Sequence, residues 1–90
     1  MSITVSLPTI LRPYANDQRR VEADGSTLAN LIDNLDLTYP GLKSRIVEEG
    51  SIRRYVNVYI NSEDVRFLNG LDSELSSGDL VDVLPAVAGG

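Results

Sequence analysis

Cysteine, histidine and tryptophan are absent from this 90-residue chain, and phenylalanine and methionine occur once each. Without cysteine the chain has no disulfide framework and no thiolate nucleophile of its own. With histidine missing too, Ser-His-Asp and Cys-His catalysis and nearly all zinc sites are excluded. Positive charge is scarce: 8 Lys and Arg face 13 Asp and Glu, a net charge of −5. That balance disfavours DNA, RNA and anionic membranes as partners and favours a protein with a basic surface. No apolar run nears the length of a membrane span. Met1-Ser2-Ile3-Thr4-Val5 lacks the basic and apolar regions of a signal peptide. The expectation is a cytoplasmic monomer of one domain, whose 42% apolar residues suffice for a small core without metal or disulfide.

What is present is ordered along the chain. Ile3 to Leu7 alternates apolar and polar residues, which predicts a half-buried strand with Ile3, Val5 and Leu7 inward. Pro8 ends it, and residues 8–17 form a connection of undefined shape. Gln18 to Glu22 reads as a polar edge strand antiparallel to the first. Asp24-Gly25-Ser26-Thr27 carries helix-start signals, with Ser26 or Thr27 as the cap. Leu28, Leu31, Ile32 and Leu35 then fall at i, i+3, i+4 and i+7, an apolar stripe along about three helical turns. Asn30, Asp33, Asn34 and Asp36 lie opposite and read as solvated. Tyr39-Pro40-Gly41 stops the helix. Leu42 to Glu49 suggests a short second helix broken by Gly50-Ser51.

Arg54 to Asn61 is the clearest strand, with Val56, Val58 and Ile60 on one face and Tyr55, Asn57, Tyr59 and Asn61 on the other. Asn61 to Asp64 reads as a turn and Val65 to Phe67 as a short strand. Glu63 and Asp64 are adjacent acids, but no third ligand is near, so no metal site is predicted. Leu71 and Leu75 are candidate core residues. Leu80 to Leu84 is the last strand; if Val81 and Val83 face the helix, Leu80, Asp82 and Leu84 face outward.

The end of the chain is of another kind. Pro85 cannot donate to a central ladder, and Ala86-Val87-Ala88-Gly89-Gly90 is small and uncharged. Ordering a residue costs about 1–2 kcal/mol of backbone entropy, and only Val87 has side-chain area to offset it. Residues 1–85 are therefore expected to form the domain and residues 86–90 a flexible tail. The order of elements predicts an α+β fold, a sheet with one main helix on one face.

Three stretches carry a resemblance: Pro8 to Pro13 after the first strand, Tyr55 to Phe67, and Gly78 to Gly90. In these the chain resembles the ubiquitin-like sulfur carriers of the MoaD/ThiS family, and most of all their CysO branch. The resemblance implies a β-grasp fold, a mixed sheet packed on one main helix with a flexible Gly-Gly tail. It also implies a carrier that is not itself an enzyme. A ubiquitin-activating-type enzyme uses ATP to adenylate the Gly90 carboxylate, and a sulfur source converts it to a thiocarboxylate. A sulfur-accepting synthase then consumes that group, making cysteine or another sulfur-containing metabolite, and in CysO-type systems a metallopeptidase releases the cysteine. The chain binds no cofactor; ATP belongs to the partner. The predicted partner-binding residues are Leu84, Pro85, Ala86, Val87, Ala88 and Gly89, with Tyr59 and Phe67 beside them. Glycine at the terminus leaves the reacting carbonyl uncrowded, and the slim tail suits pairing as an added strand. Three alternatives stay open: the small subunit of molybdopterin synthase, a ubiquitin-like protein modifier, and an interaction domain with an inert tail.

Overall fold

Alternation builds the sheet and a helical stripe builds its cover. A computed structural model describes residues 2–86; of the tail expected over residues 86–90, residues 87–90 fall outside the described residues. Strand β1 (Ile3–Ser6) is followed by a 3-10 helix over Thr9–Ala15, edge strand β2 (Arg20–Ala23), helix α1 (Leu28–Thr38) and short helix α2 (Leu42–Ile46). Then come β3 (Val47–Glu48), β4 (Ser51–Ile52), β5 (Val56–Ile60), β6 (Glu63–Asp64), 3-10 turns over Val65–Phe67 and Gly70–Asp72, and β7 (Leu80–Pro85).

The five-stranded sheet runs β2-β1-β7-β5-β6. Only β1 and β7 are parallel, with Val5 beside Val81; the other pairs are antiparallel. The last strand among the described residues, β7, is thus the central strand of the sheet. Ile3, Val5, Val58, Val81 and Val83 turn inward and are buried against Leu28, Leu31, Ile32 and Leu35 of α1. Val56 is half-buried at one end of this core. This mixed sheet on one main helix is the expected β-grasp arrangement.

Local chemistry fixes the helix. The Thr27 hydroxyl accepts from the Asn30 N–H at 3.2 Å, and the Asn30 side chain accepts from the Ser26 N–H at 3.1 Å. These reciprocal bonds satisfy donors left free at the first turn. Gly25 lets the preceding chain approach closely, since a Cβ there would lie 2.7 Å from Leu31 backbone and side-chain atoms. Gly25→Ala is expected to cost about 1–3 kcal/mol through this overlap. Chemical denaturation measures it, and a loss below a few tenths of that scale would contradict the packing. Asp36 is not simply solvated: its carboxylate accepts from the N–H groups of Gly41 and Lys43 at 3.0 and 3.1 Å. It ties the end of α1 to the start of α2, across a Gly41 that turns with φ of +96°.

Three local expectations are corrected. The second helix ends at Ile46, and β3 and β4 form a hairpin through Glu49 and Gly50, whose φ values are 52° and 77°. Both positive angles match the tight turn favoured by two-residue hairpins. Val65–Phe67 is a 3-10 turn rather than a strand, because the Asp64 carboxylate caps the Arg66 N–H at 2.9 Å and Val65 is drawn into the core. The connection after Pro8 also has a definite form, a 3-10 helix that buries Leu11 and Ala15.

Candidate functional site

The site grows from the end of β7. Its register with β5 runs from Ile60 beside Val81 to Val56 beside Pro85. One further bond extends it: the Ala86 N–H donates to the Tyr55 carbonyl at 2.7 Å. Pairing therefore reaches one residue beyond the proline at which the sequence reading drew the boundary. Pro85 is tolerated because its missing N–H would point away from β5, beyond the last β1 pair at Ser6 and Asp82.

Parity places Leu84 on the outer face of the sheet beside Asn57, and 46% of its surface is exposed. Pro85 is exposed beside it. On the inner side, beneath this root, lies a notch of about 230 Å³. Buried Leu11 and Val83 and half-buried Val56 form its floor, Pro8, Ile10, Tyr14 and Tyr55 also line it, and exposed Leu84 and Pro85 stand at its lip. Ile10 and Tyr55 are 64% and 53% exposed, so apolar surface continues onto the rim. The Arg45 guanidinium also lines the notch and stacks on the Tyr14 ring, 5.0 Å from its centre.

Of the residues named from sequence, Leu84 and Pro85 meet at this notch and Ala86 is hydrogen-bonded beside it. Tyr59 is half-buried on the outer face opposite Asp82 and does not line the notch. Phe67 is 81% exposed on the turn after β6 and does not line it either. Val87, Ala88, Gly89 and Gly90 lie outside the described residues. The sequence reading missed Ile10, Tyr14 and Arg45. The one available signal was Ile10 itself, an apolar residue held between Pro8 and Pro13.

The acids offer no competing centre. Asp64 is engaged by Arg66 at 2.7 Å, and hydrogen bonds from the Arg66 side chain and N–H hold its carboxyl below the usual range. The stability this pair adds is present above the ordinary carboxyl range and is lost as pH falls through the lowered value. Among the described residues no group of three His, Cys, Asp or Glu side chains is placed to hold a metal ion. No helix among them is long and apolar enough to cross a membrane.

A model of the ThiS family matches residues 5–90, which takes in the notch, β7 and the Gly-Gly end. The chain belongs to the ThiS family. It is 47% identical over 93 aligned positions to the sulfur carrier protein CysO of Mycobacterium tuberculosis, and the alignment covers 100% of both chains. Small archaeal modifier protein 3 of Haloferax volcanii is 39% identical over 67 positions, covering 74% of this chain and 73% of that protein. Among solved structures, a chain of the BexX/CysO complex of Amycolatopsis orientalis superposes with a TM-score of 0.93 at 48% identity, covering 98% of this chain and 99% of that one. In this ThiS-family chain the notch beneath Leu84 and Pro85 is a concave, largely apolar surface at the end of β7.

Proposed function

We propose that this chain is a sulfur carrier of the CysO type, a protein co-substrate rather than an enzyme. The observation that carries the reading is full-length similarity to CysO in a chain whose central strand ends at Pro85 and whose sequence closes on Gly89-Gly90. A carboxylate oxygen of Gly90 attacks the α-phosphorus of ATP in the partner's active site, pyrophosphate leaves, and an acyl-adenylate forms. A sulfur donor then attacks the carbonyl carbon, AMP leaves, and the terminus becomes a thiocarboxylate. That sulfur forms a C–S bond to an electrophilic carbon in a synthase, where a leaving group is expelled, and hydrolysis of the adduct's bond to the Gly90 acyl group frees cysteine or a related sulfur-containing metabolite and restores the carboxylate. The carrier supplies a tethered nucleophile at high effective concentration, and the partners supply the catalysis, so a chain lacking His and Cys fits the role. In this reading the chain works in the cytoplasm, where ATP and sulfide-level sulfur are at hand. ATP is held by the activating enzyme, and a metallopeptidase is a further partner where cysteine is released from the carrier.

The tail root is the docking anchor in this reading, with Leu84 and Pro85 contributing apolar surface beside the chain that enters the enzyme. Leu84→Ala is expected to weaken binding to the cognate activating enzyme by about 1–2 kcal/mol, the scale of one modest anchor. Titration calorimetry on a variant with an unchanged melting curve measures this, and equal affinity removes Leu84 from the interface. Tyr59 and Phe67 remain proposed as outlying contacts on the outer face and beyond β6. A second reading, a ubiquitin-like modifier, draws on the similarity to the archaeal modifier protein. Mass spectrometry of lysines in native extracts separates the two, since a modifier leaves its Gly-Gly remnant on other proteins.

A further inference from the structure

The geometry points to an acidic docking surface on the partner that receives the tail, recognised by arginines on both flanks of its root. This rests on the reading that the tail enters a partner enzyme. On one flank the Arg12 side chain donates to the Leu7 carbonyl at 3.2 Å, and the Leu7 N–H donates to the Arg19 carbonyl at 2.9 Å. Arg20 stands opposite Ser6, which stands beside Asp82 of β7. Parallel pairing of β1 with β7 therefore brings these arginines to the end of the sheet from which the tail departs. With Ser6 they line one depression of about 440 Å³. On the other flank, Arg45 stacks on Tyr14 in the notch whose lip is Leu84 and Pro85.

None of these four arginines is in an ion pair among the described residues, whereas Lys43, Arg53 and Arg66 are. Asp17, two residues before Arg19, and Asp82, beside Ser6, form no ion pair with them among the described residues. Acidic residues stand at the opposite end, where β1 begins: the Glu22 carboxylate accepts from the Ser2 hydroxyl at 2.5 Å, and the backbone carbonyl of Asp79 accepts from the Thr4 N–H at 3.1 Å. The net charge of −5 thus conceals a basic rim, and the partner surface facing this rim has the sign opposite to that expected from composition. A carboxylate-bearing protein surface fits four exposed or half-exposed guanidinium forks. A nucleic acid does not, because the rest of the chain repels a long polyanion. Charge placed around the tail rather than on it steers encounter and sets register without crowding the reacting carbonyl.

The test is ATP–pyrophosphate exchange by the cognate activating enzyme, with KM for this chain measured from about 0.05 to about 0.3 M salt. For the intact chain, KM is expected to rise about tenfold across that range. The Arg19→Glu/Arg20→Glu double variant is expected to raise KM at low salt about tenfold, to flatten the salt dependence and to keep kcat, while Arg19→Lys/Arg20→Lys restores KM. Arg45→Glu should act in the same direction. A KM within about twofold of the intact chain with an unchanged salt slope overturns the inference. So does salt-sensitive binding to duplex or single-stranded nucleic acid that the same variants abolish while KM stays constant. Absence of exchange with the intact chain is a different result, which sinks the carrier reading itself.

Discussion

Deleting Gly90 is expected to abolish adenylation by the cognate activating enzyme while leaving the melting temperature where it was. Two demands fall on different residues. Folding needs β7, whose pairing with β5 runs from Val81 to Pro85 and closes with the Ala86 N–H on Tyr55. The chemistry needs a free carboxylate a fixed number of residues further on. One missing residue withdraws the carbonyl by about 3.3 Å, and a misplacement of about 1 Å can cost about a hundredfold in rate. Adding a residue after Gly90 is expected to be as damaging, because the reacting group is then no longer at the enzyme's phosphorus. Gly89→Ala and Gly90→Ala should be milder, since they crowd the carbonyl without moving it. ATP–pyrophosphate exchange beside a melting curve for each variant reads both demands. A Gly90-deleted chain that is activated as fast as the intact one leaves the inert-tail alternative standing in place of the carrier.

The second large effect lies in the core. Leu31→Ala is expected to destabilise the domain by about 2–5 kcal/mol, the cost of lost burial plus the cavity left behind. Leu31 is fully buried, at 0% exposure, on the helix face that covers the sheet. A small domain has only about 5–15 kcal/mol of stability, and 1 kcal/mol shifts its melting point by about 4–8 °C. The variant should therefore melt at least about 8 °C lower. Leu37→Ala on the same helix is the control. Leu37 is 82% exposed, so its loss should stay within about 0.5 kcal/mol. Equal losses at the two positions would contradict the placement of α1.

Those two leucines show what the sequence makes legible. A stripe at helical spacing is a long-period signal, so Leu28, Leu31, Ile32 and Leu35 could be assigned to one face before any coordinates. Strand parity worked for the same reason in β5 and β7 and placed Leu84 outward. Two-residue strands carry no period, and so the β3–β4 hairpin was read as the end of a helix. In Val65–Phe67 the apolar content suggested a strand, but the ladder ends at Asp64, whose carboxylate caps the Arg66 N–H. The notch was hidden for another reason. Its members come from the 3-10 helix after β1, from α2, and from the paired ends of β5 and β7. Nothing local joins Ile10 to Tyr55 or Arg45; the parallel pairing of β1 with β7 does, and that pairing spans almost the whole chain. Phe67 shows the converse, an aromatic residue singled out from sequence that the fold leaves exposed and apart from the notch.

The most direct test of the carrier reading is the intact mass of the protein purified from its native cells, before and after treatment with a thiol-alkylating reagent. The chain has no cysteine, so a thiocarboxylate is the one group expected to react as a thiolate would. A sulfur carrier yields a fraction heavier by the difference between sulfur and oxygen. That fraction takes up one alkyl group, which maps to the peptide ending at Gly90. Protein carrying only the ordinary carboxylate, with no alkylation in cells making sulfur-containing metabolites, contradicts the reading.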